Sequence, residues 1–91
     1  MKKAGVAILG MGVVGGGTYK ILVDRKQAIM DEYGVEVEVK AVLDKIPARV
    51  TAAGADLSLL AGSIDEIVAR DDIDIVVECM GGVEPAKTFL I

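Results

Sequence analysis

Histidine is absent from this chain, and with it the commonest general base and the commonest metal ligand of proteins. There is one cysteine, Cys79, so no intrachain disulfide can form. That fits a reducing compartment and sets a cytoplasmic location as the expectation. Tryptophan is missing, and only Tyr19, Tyr33 and Phe89 are aromatic. With a net charge of −4 and no basic cluster, the chain lacks both the electrostatic footprint and the stacking platforms of a nucleic-acid binder. No apolar run approaches the ~20 residues of a membrane span. Met1-Lys2-Lys3 is basic, but the apolar run after it is broken by glycines, unlike a secretory signal. The acid pairs Asp65-Glu66 and Asp71-Asp72 read as a helix start and a turn, so no metal site is expected.

What is present is ample apolar material, 53% of 91 residues, enough for one small domain with a core. Val6-Ala7-Ile8-Leu9 is followed at once by Gly10-Met11-Gly12-Val13-Val14-Gly15, which opens a helical pattern. Strand, glycine turn, helix is the context in which G-x-G-x-x-G has a physical meaning. Gly10 permits the tight turn, Gly12 removes a side chain where backbone must approach a pyrophosphate, and Gly15 lets helix and strand lie close. The free N–H groups and positive dipole end of the helix then face the phosphates, with Val13 and Val14 in the first turn. Gly15, Gly16 and Gly17 are consecutive, each costing about 1 kcal/mol against alanine within a helix. Such a run points to close packing or ligand access. The alternative is a glycine turn without a ligand.

The pattern predicts a first strand over 4–9, apolar on both faces as in a central parallel strand. A single long helix is predicted over 13–33, with Val14, Thr18, Ile21, Leu22, Ile29 and Tyr33 in one stripe and Arg25 snorkelling from it. Gly34 is a suitable stop. Val35, Val37 and Val39 alternate with Glu36, Glu38 and Lys40 in a second strand over 35–43, wet on one face in its first half. A short helix over 48–53 and a short strand over 57–61 are expected next. Ser63 and Glu66 form a capping box for a helix to about Arg70. A strand over 73–79 follows, and Glu84-Pro85 reads as a helix start. The order implies an α/β fold, a Rossmann-like doubly wound parallel sheet, with 73–79 pairing the first strand opposite the second. Met80-Gly81-Gly82 would then lie beside the glycine turn, at the carboxyl end of the sheet.

Two segments carry a resemblance. Gly10-Met11-Gly12-Val13-Val14-Gly15-Gly16-Gly17 resembles the N-terminal G-x-G-x-V-G-x-G of homoserine dehydrogenases. The run from Ile73 to Ala86 (I-D-I-V-V-E-C-M-G-G-V-E-P-A) resembles that family's D-I-D-V-V-V-E-x-M-G-G-x-E-P-A segment and is the more specific of the two. The resemblance covers essentially the whole chain. It implies that residues 1–91 are one NAD(P)-binding Rossmann domain, the N-terminal piece of a homo-oligomeric enzyme of threonine and methionine biosynthesis. That enzyme interconverts L-homoserine and L-aspartate 4-semialdehyde with NAD or NADP. It further implies a cofactor site at Gly10, Gly12, Val13, Val14 and Gly15, with Met80, Gly81 and Gly82 on the nicotinamide side. The family's lysine segment and substrate domain are absent from this sequence, so no catalytic residue is expected in it and the piece alone should turn over no substrate. Rival readings are another two-domain dehydrogenase of the aspartate dehydrogenase kind, a stand-alone nucleotide-sensing module, and an interaction domain with a vacant turn.

Asp44 ends the second strand, where dinucleotide folds hold an acid against the adenosine ribose, though further along the chain than the usual ~20 residues. Many family members carry an arginine at or beside this point for the 2′-phosphate of NADP. Leu43-Asp44-Lys45 departs from that, and Asp44 tilts the expectation toward NAD while Lys45 still offers charge to a phosphate. A solvated turn is the plain alternative for Asp44. Cys79, with no histidine to activate it, reads as a packing thiol. Glu78 has two open readings, a place near the ligand or a partner for backbone amides. Glu84 reads as a cap for the helix through Pro85, and Met80 as either a ring contact or packing.

Overall fold

The computed structural model describes residues 2–79 and the backbone of 87–90. Val6 to Leu9 are at most 3% exposed, and this run is the middle of β1 (Lys2–Leu9). Because alternate residues of a strand face opposite ways, β1 feeds two cores at once. Val6 and Ile8 join Met11, Val42, Val50 and Ala55 on one side. Ala7 and Leu9 join Ala41, Ile67, Ile73 and Val76 on the other. Both faces are covered by helices, which is what an apolar parallel strand requires. Helices α1 (Val13–Asp24), through Tyr19 and Leu22, and α3 (Pro47–Ala52), through Val50, cover the first face. Helix α4 (Ile64–Val68) covers the second through Ile67.

Strands β2 (Val35–Leu43) and β3 (Ile75–Glu78) flank β1 on opposite sides, both parallel to it. Strand β4 (Lys87–Leu90) adds antiparallel to β3, giving the order β2-β1-β3-β4. The flanking of the first strand by the second and third agrees with the sequence reading. A register shift between Val6 and Ala7 lets β2 pass from its half-wet opening to the buried Ala41 and Val42.

Three expectations are corrected. The long helix is two: α1 ends at Arg25 (φ −102°, ψ 11°) and α2 (Lys26–Tyr33) restarts there, closing on Gly34 in the left-handed region (φ 69°). The inward face is also rotated from the predicted stripe. Gly15 is buried and Tyr19 and Leu22 pack inward, while Val14, Ile21 and Tyr33 are exposed. The cause is one close contact: a Cβ on Gly15 would collide with the Gly10 carbonyl oxygen, so the helix is turned with bare backbone against β1. The break at Arg25 then allows α2 to follow β2, tied by Lys26–Glu36 at 3.6 Å. The strand expected over 57–61 is a 3₁₀ turn, Leu57–Leu59, because the Asp56 carboxylate accepts the Ser58 N–H (2.8 Å) and bends the chain. Only Leu60 bridges to Val42, with the Ala61 N–H donating to the Val42 carbonyl at 2.8 Å. The helix start at Glu84-Pro85 lies outside the described residues, but the chain is a strand by 87–90, where it pairs with the open edge of β3.

The capping box holds in modified form. Ser63 Oγ accepts the Glu66 N–H (3.3 Å), while Glu66 Oε2 reaches past it to the Gly62 N–H (2.8 Å). Glycines 15 and 17 give a direct test of what sets α1 in place. Gly15→Ala should cost about 1–3 kcal/mol, since backbone must move. Gly17→Ala, where an added Cβ meets nothing within 4 Å, should stabilise by about 0.5–1 kcal/mol. Urea denaturation midpoints of the two variants should shift in opposite directions.

Candidate functional site

A cleft of about 420 Å³ opens at the carboxyl ends of β1 and β2. Its floor is the glycine turn. Gly10 sits at φ +93°, a conformation that side-chain-bearing residues rarely adopt, and its N–H donates to the Leu43 carbonyl at 2.6 Å, locking the end of β1 to that of β2. Gly12 is the N-cap of α1, and nothing lies within 4 Å of where its Cβ would stand. The protein's own packing therefore does not require glycine there; the space is left to the cleft. Helix α1 has no side-chain cap and no acid in its first turn, so its opening N–H groups stay available to an anion. Val13 and Val14 stand beside them on the cleft wall.

Asp44 closes the opposite side. Its Oδ2 accepts the Met11 N–H at 2.7 Å and its Oδ1 the Ile46 N–H at 2.8 Å, with Arg49 Nη1 at 3.7 Å from Oδ1. The side chain is 3% exposed. Burial alone would raise its pKa, but the hydrogen bonds from Ile46 and Met11 and the Arg49 charge outweigh burial and hold it below 3.8. Asp44 is thus a carboxylate clamp between the glycine turn and the loop after β2, and its oxygens are already engaged on the cleft's edge. Lys45 and Arg49 add positive charge to the same rim.

Cys79 forms the third wall, its N–H continuing the β1 pairing to Leu9 (2.7 Å). Burial pushes its thiol pKa up and the Glu78 charge adds to this, against a lowering hydrogen bond from Thr18. The thiol stays protonated at neutral pH and is no nucleophile. Glu78 is half-buried at the end of β3.

Of the residues singled out in the sequence, Gly10, Gly12, Val13, Val14, Asp44 and Lys45 surround this one cleft. Gly15 lies behind it as the contact between α1 and β1. Met80, Gly81 and Gly82 lie outside the described residues, directly after Cys79 in the chain. Sequence reasoning missed Arg49. The only available signal was a cation one turn into a helix started by Pro47, just past the carboxyl end of a strand. Among the described residues no group of histidine, cysteine, aspartate or glutamate could hold a metal ion, and no helix is long and apolar enough to cross a membrane.

A parallel sheet covered on both faces, with a positive-φ glycine and an open helix start over the same cleft, defines a Rossmann-type dinucleotide-binding domain. A family model described as "Homoserine dehydrogenase, NAD binding domain" matches residues 10–91. The homoserine dehydrogenase of Bacillus subtilis is 33% identical over 91 residues, covering 100% of this chain and 21% of its own length. That of Mycobacterium tuberculosis H37Rv is 34% identical, covering 99% of this chain and 20% of its own. A crystal structure of the Staphylococcus aureus homoserine dehydrogenase at pH 7.5 superposes with a TM-score of 0.75 at 34% identity, over 93% of this chain and 21% of that one. The chain belongs to the homoserine dehydrogenase family, as an NAD(P)-binding domain, and the aspartate dehydrogenase alternative is not favoured. It spans about a fifth of the length of the curated relatives it matches.

The Asp44 clamp carries a pH signature. Because folding lowers this pKa, its stabilisation is complete above 3.8 and is lost as pH falls through that value toward the lower folded one. Asp44→Asn, which has one acceptor oxygen for two amides, should cost about 1.5–3 kcal/mol at neutral pH. The gap from the parent should narrow with acidification below about 3.9, read by urea denaturation across pH.

Proposed function

We propose that the cleft takes the pyrophosphate of NAD(P), within an enzyme that interconverts L-homoserine and L-aspartate 4-semialdehyde. The single observation that carries the placement is Gly12, bare on the cleft floor where the domain's own packing leaves room for a side chain. Its position at the N-cap of an uncapped twelve-residue helix supports an anion there rather than an apolar ligand.

A nicotinamide dinucleotide supplies hydride transfer when bound. This chain's part is to bind and orient. The N–H groups at the start of α1 receive the phosphates, with Gly10 and Val13 shaping the turn. Val14 and Cys79 give an apolar, protonated wall that excludes water from one side. Asp44 holds Met11 and Ile46 and so fixes the turn's shape, and Lys45 faces the adenosine end. Met80, Gly81 and Gly82 follow Cys79 in sequence and are assigned to the nicotinamide end on that ground.

The reaction also moves a hydroxyl proton, which needs a general acid or base. Asp44 is anionic and doubly hydrogen-bonded, and Cys79 has a raised pKa, so neither suits that work. The 91 residues are therefore assigned cofactor binding without turnover. On this reading the homoserine-binding groups are assigned outside the fifth of the relatives' length that this chain spans. A cytoplasmic, homo-oligomeric enzyme is the setting that goes with this reading.

Titration calorimetry of the chain with NAD and NADP should detect binding of both. Gly12→Val should abolish it while leaving the circular dichroism and denaturation midpoint close to the parent's, because the added side chain projects into the cleft. Unchanged affinity in that variant would remove the phosphate cradle from this turn.

A further inference from the structure

Strand β2 is the last strand of the sheet on its side, in the order β2-β1-β3-β4. Leu60 bridges to Val42 near its carboxyl end, and among the described residues nothing else pairs with its outer edge. One bond fixes how that edge is oriented. The Lys2 N–H donates to the Gly34 carbonyl at 3.3 Å, with Lys2 opposite Val35. In a parallel ladder this turns the backbone groups of Glu36 and Glu38 toward β1 and those of Val35, Val37 and Val39 outward.

Beside this edge lies a groove of about 210 Å³, where Val37 and Val39 meet Tyr19, Leu22 and Val23 of α1. It shares no residue with the nucleotide cleft. Val23 is half exposed there. The other face of the same stretch carries only charge, with Glu36, Glu38 and Lys40 along it. An open edge with an apolar groove on one face and charges on the other suits an added strand. Main-chain hydrogen bonds supply affinity, and alternate side chains supply specificity.

We propose that the occupant is β2 of a second copy of this chain, antiparallel across a two-fold axis at Glu38. A seated strand must be apolar at every second position on the groove side. It must also bring a cation opposite Glu36 and an anion opposite Lys40. Strand β2 meets these demands for itself. About that axis Val37 pairs with Val39 of the second copy through the outward backbone groups, and Glu36 stands opposite Lys40 on both sides. Opposite charges at directly facing positions favour a pairing, and like charges oppose it. The neighbouring registers are worse. An axis at Val37 sets Glu36 opposite Glu38 twice. An axis at Val39 brings Glu36 opposite Val42, whose outer side Leu60 already occupies. The cost of the favoured register is that Glu38 faces its own copy. The Lys40 ammonium, 3.2 Å from Glu38 within each chain, offsets part of it. A short pairing with like charges at its centre makes this a weak, reversible interface.

The experiment is sedimentation velocity of the chain and its variants across concentration, with circular dichroism to check each fold. The parent should pass from monomer to dimer between about 10 µM and about 1 mM. Val37→Pro removes an N–H that the β1 ladder does not use, a change edge strands tolerate, and should weaken the dimer at least about tenfold. Lys40→Glu should weaken it comparably, and adding Glu36→Lys should restore it. Glu38→Gln should tighten it. Lys20→Glu makes the same change of net charge on a surface that shares no residue with the groove, and should leave the dimer as it is. A parent that stays monomeric overturns the proposal. So does a dimer that survives Lys40→Glu, or one that Lys20→Glu weakens equally, since repulsion would then be global. Should Val37→Pro fail to fold, the Lys40→Glu and Glu36→Lys pair decides alone.

Discussion

Helix α1 can lie over the carboxyl end of β1 only because Gly15 brings no side chain against the Gly10 carbonyl. That approach sets the rotation of the helix, and so decides that Tyr19 and Leu22 pack on the core while Val14 and Ile21 face solvent. It also brings the start of α1 to the edge of the sheet with Gly12 at its tip. Core packing on one face and an open anion cradle at the end are two results of a single steric allowance. In many helices the first turn is satisfied by its own side-chain cap. Here a cap is missing, and the cleft takes its place.

The second organising contact is electrostatic and non-local. Asp44 reaches across from the end of β2 to the Met11 N–H and, through Arg49, to α3. Desolvation would favour the neutral acid, and two amide donors with a guanidinium tip the balance to the charged one. The turn is therefore sealed by a residue 33 positions away. Its charge is consumed inside the protein, and the rim of the cleft carries the cations of Lys45 and Arg49.

Much of this was legible in the sequence, and the parts that were not share a cause. Val6 to Leu9 read as a doubly buried strand because the run is apolar at every position, and Gly10, Gly12 and Gly15 read as a phosphate turn because of what precedes and follows them. The pairing of 73–79 with the first strand followed from element order. The face of α1 did not follow, because helical periodicity gives a stripe but not its phase when the stripe is broad, and the phase came from the glycine contact. Leu57, Leu59 and Leu60 mimic a strand by composition, while the Asp56 side chain makes the turn locally. Asp44 was visible as an acid in the right place, but its orientation depends on amides brought in by other segments. Arg49 could not be placed without knowing that α3 folds back from Pro47 over the cleft.

The Asp44–Met11 bond has a consequence for how the domain is assembled and kept. The glycine turn acquires its final shape only when β2 has docked on β1, so competence to bind is a property of the tertiary fold and not of the local motif. A ligand that recognises that shape draws the equilibrium toward the docked state by mass action, adding about 2.7 kcal/mol at a concentration a hundredfold above its dissociation constant. For a domain of this size, such a contribution is comparable with a large part of its intrinsic stability. Cofactor supply in its surroundings then acts on how long the domain stays folded as well as on how often it is occupied.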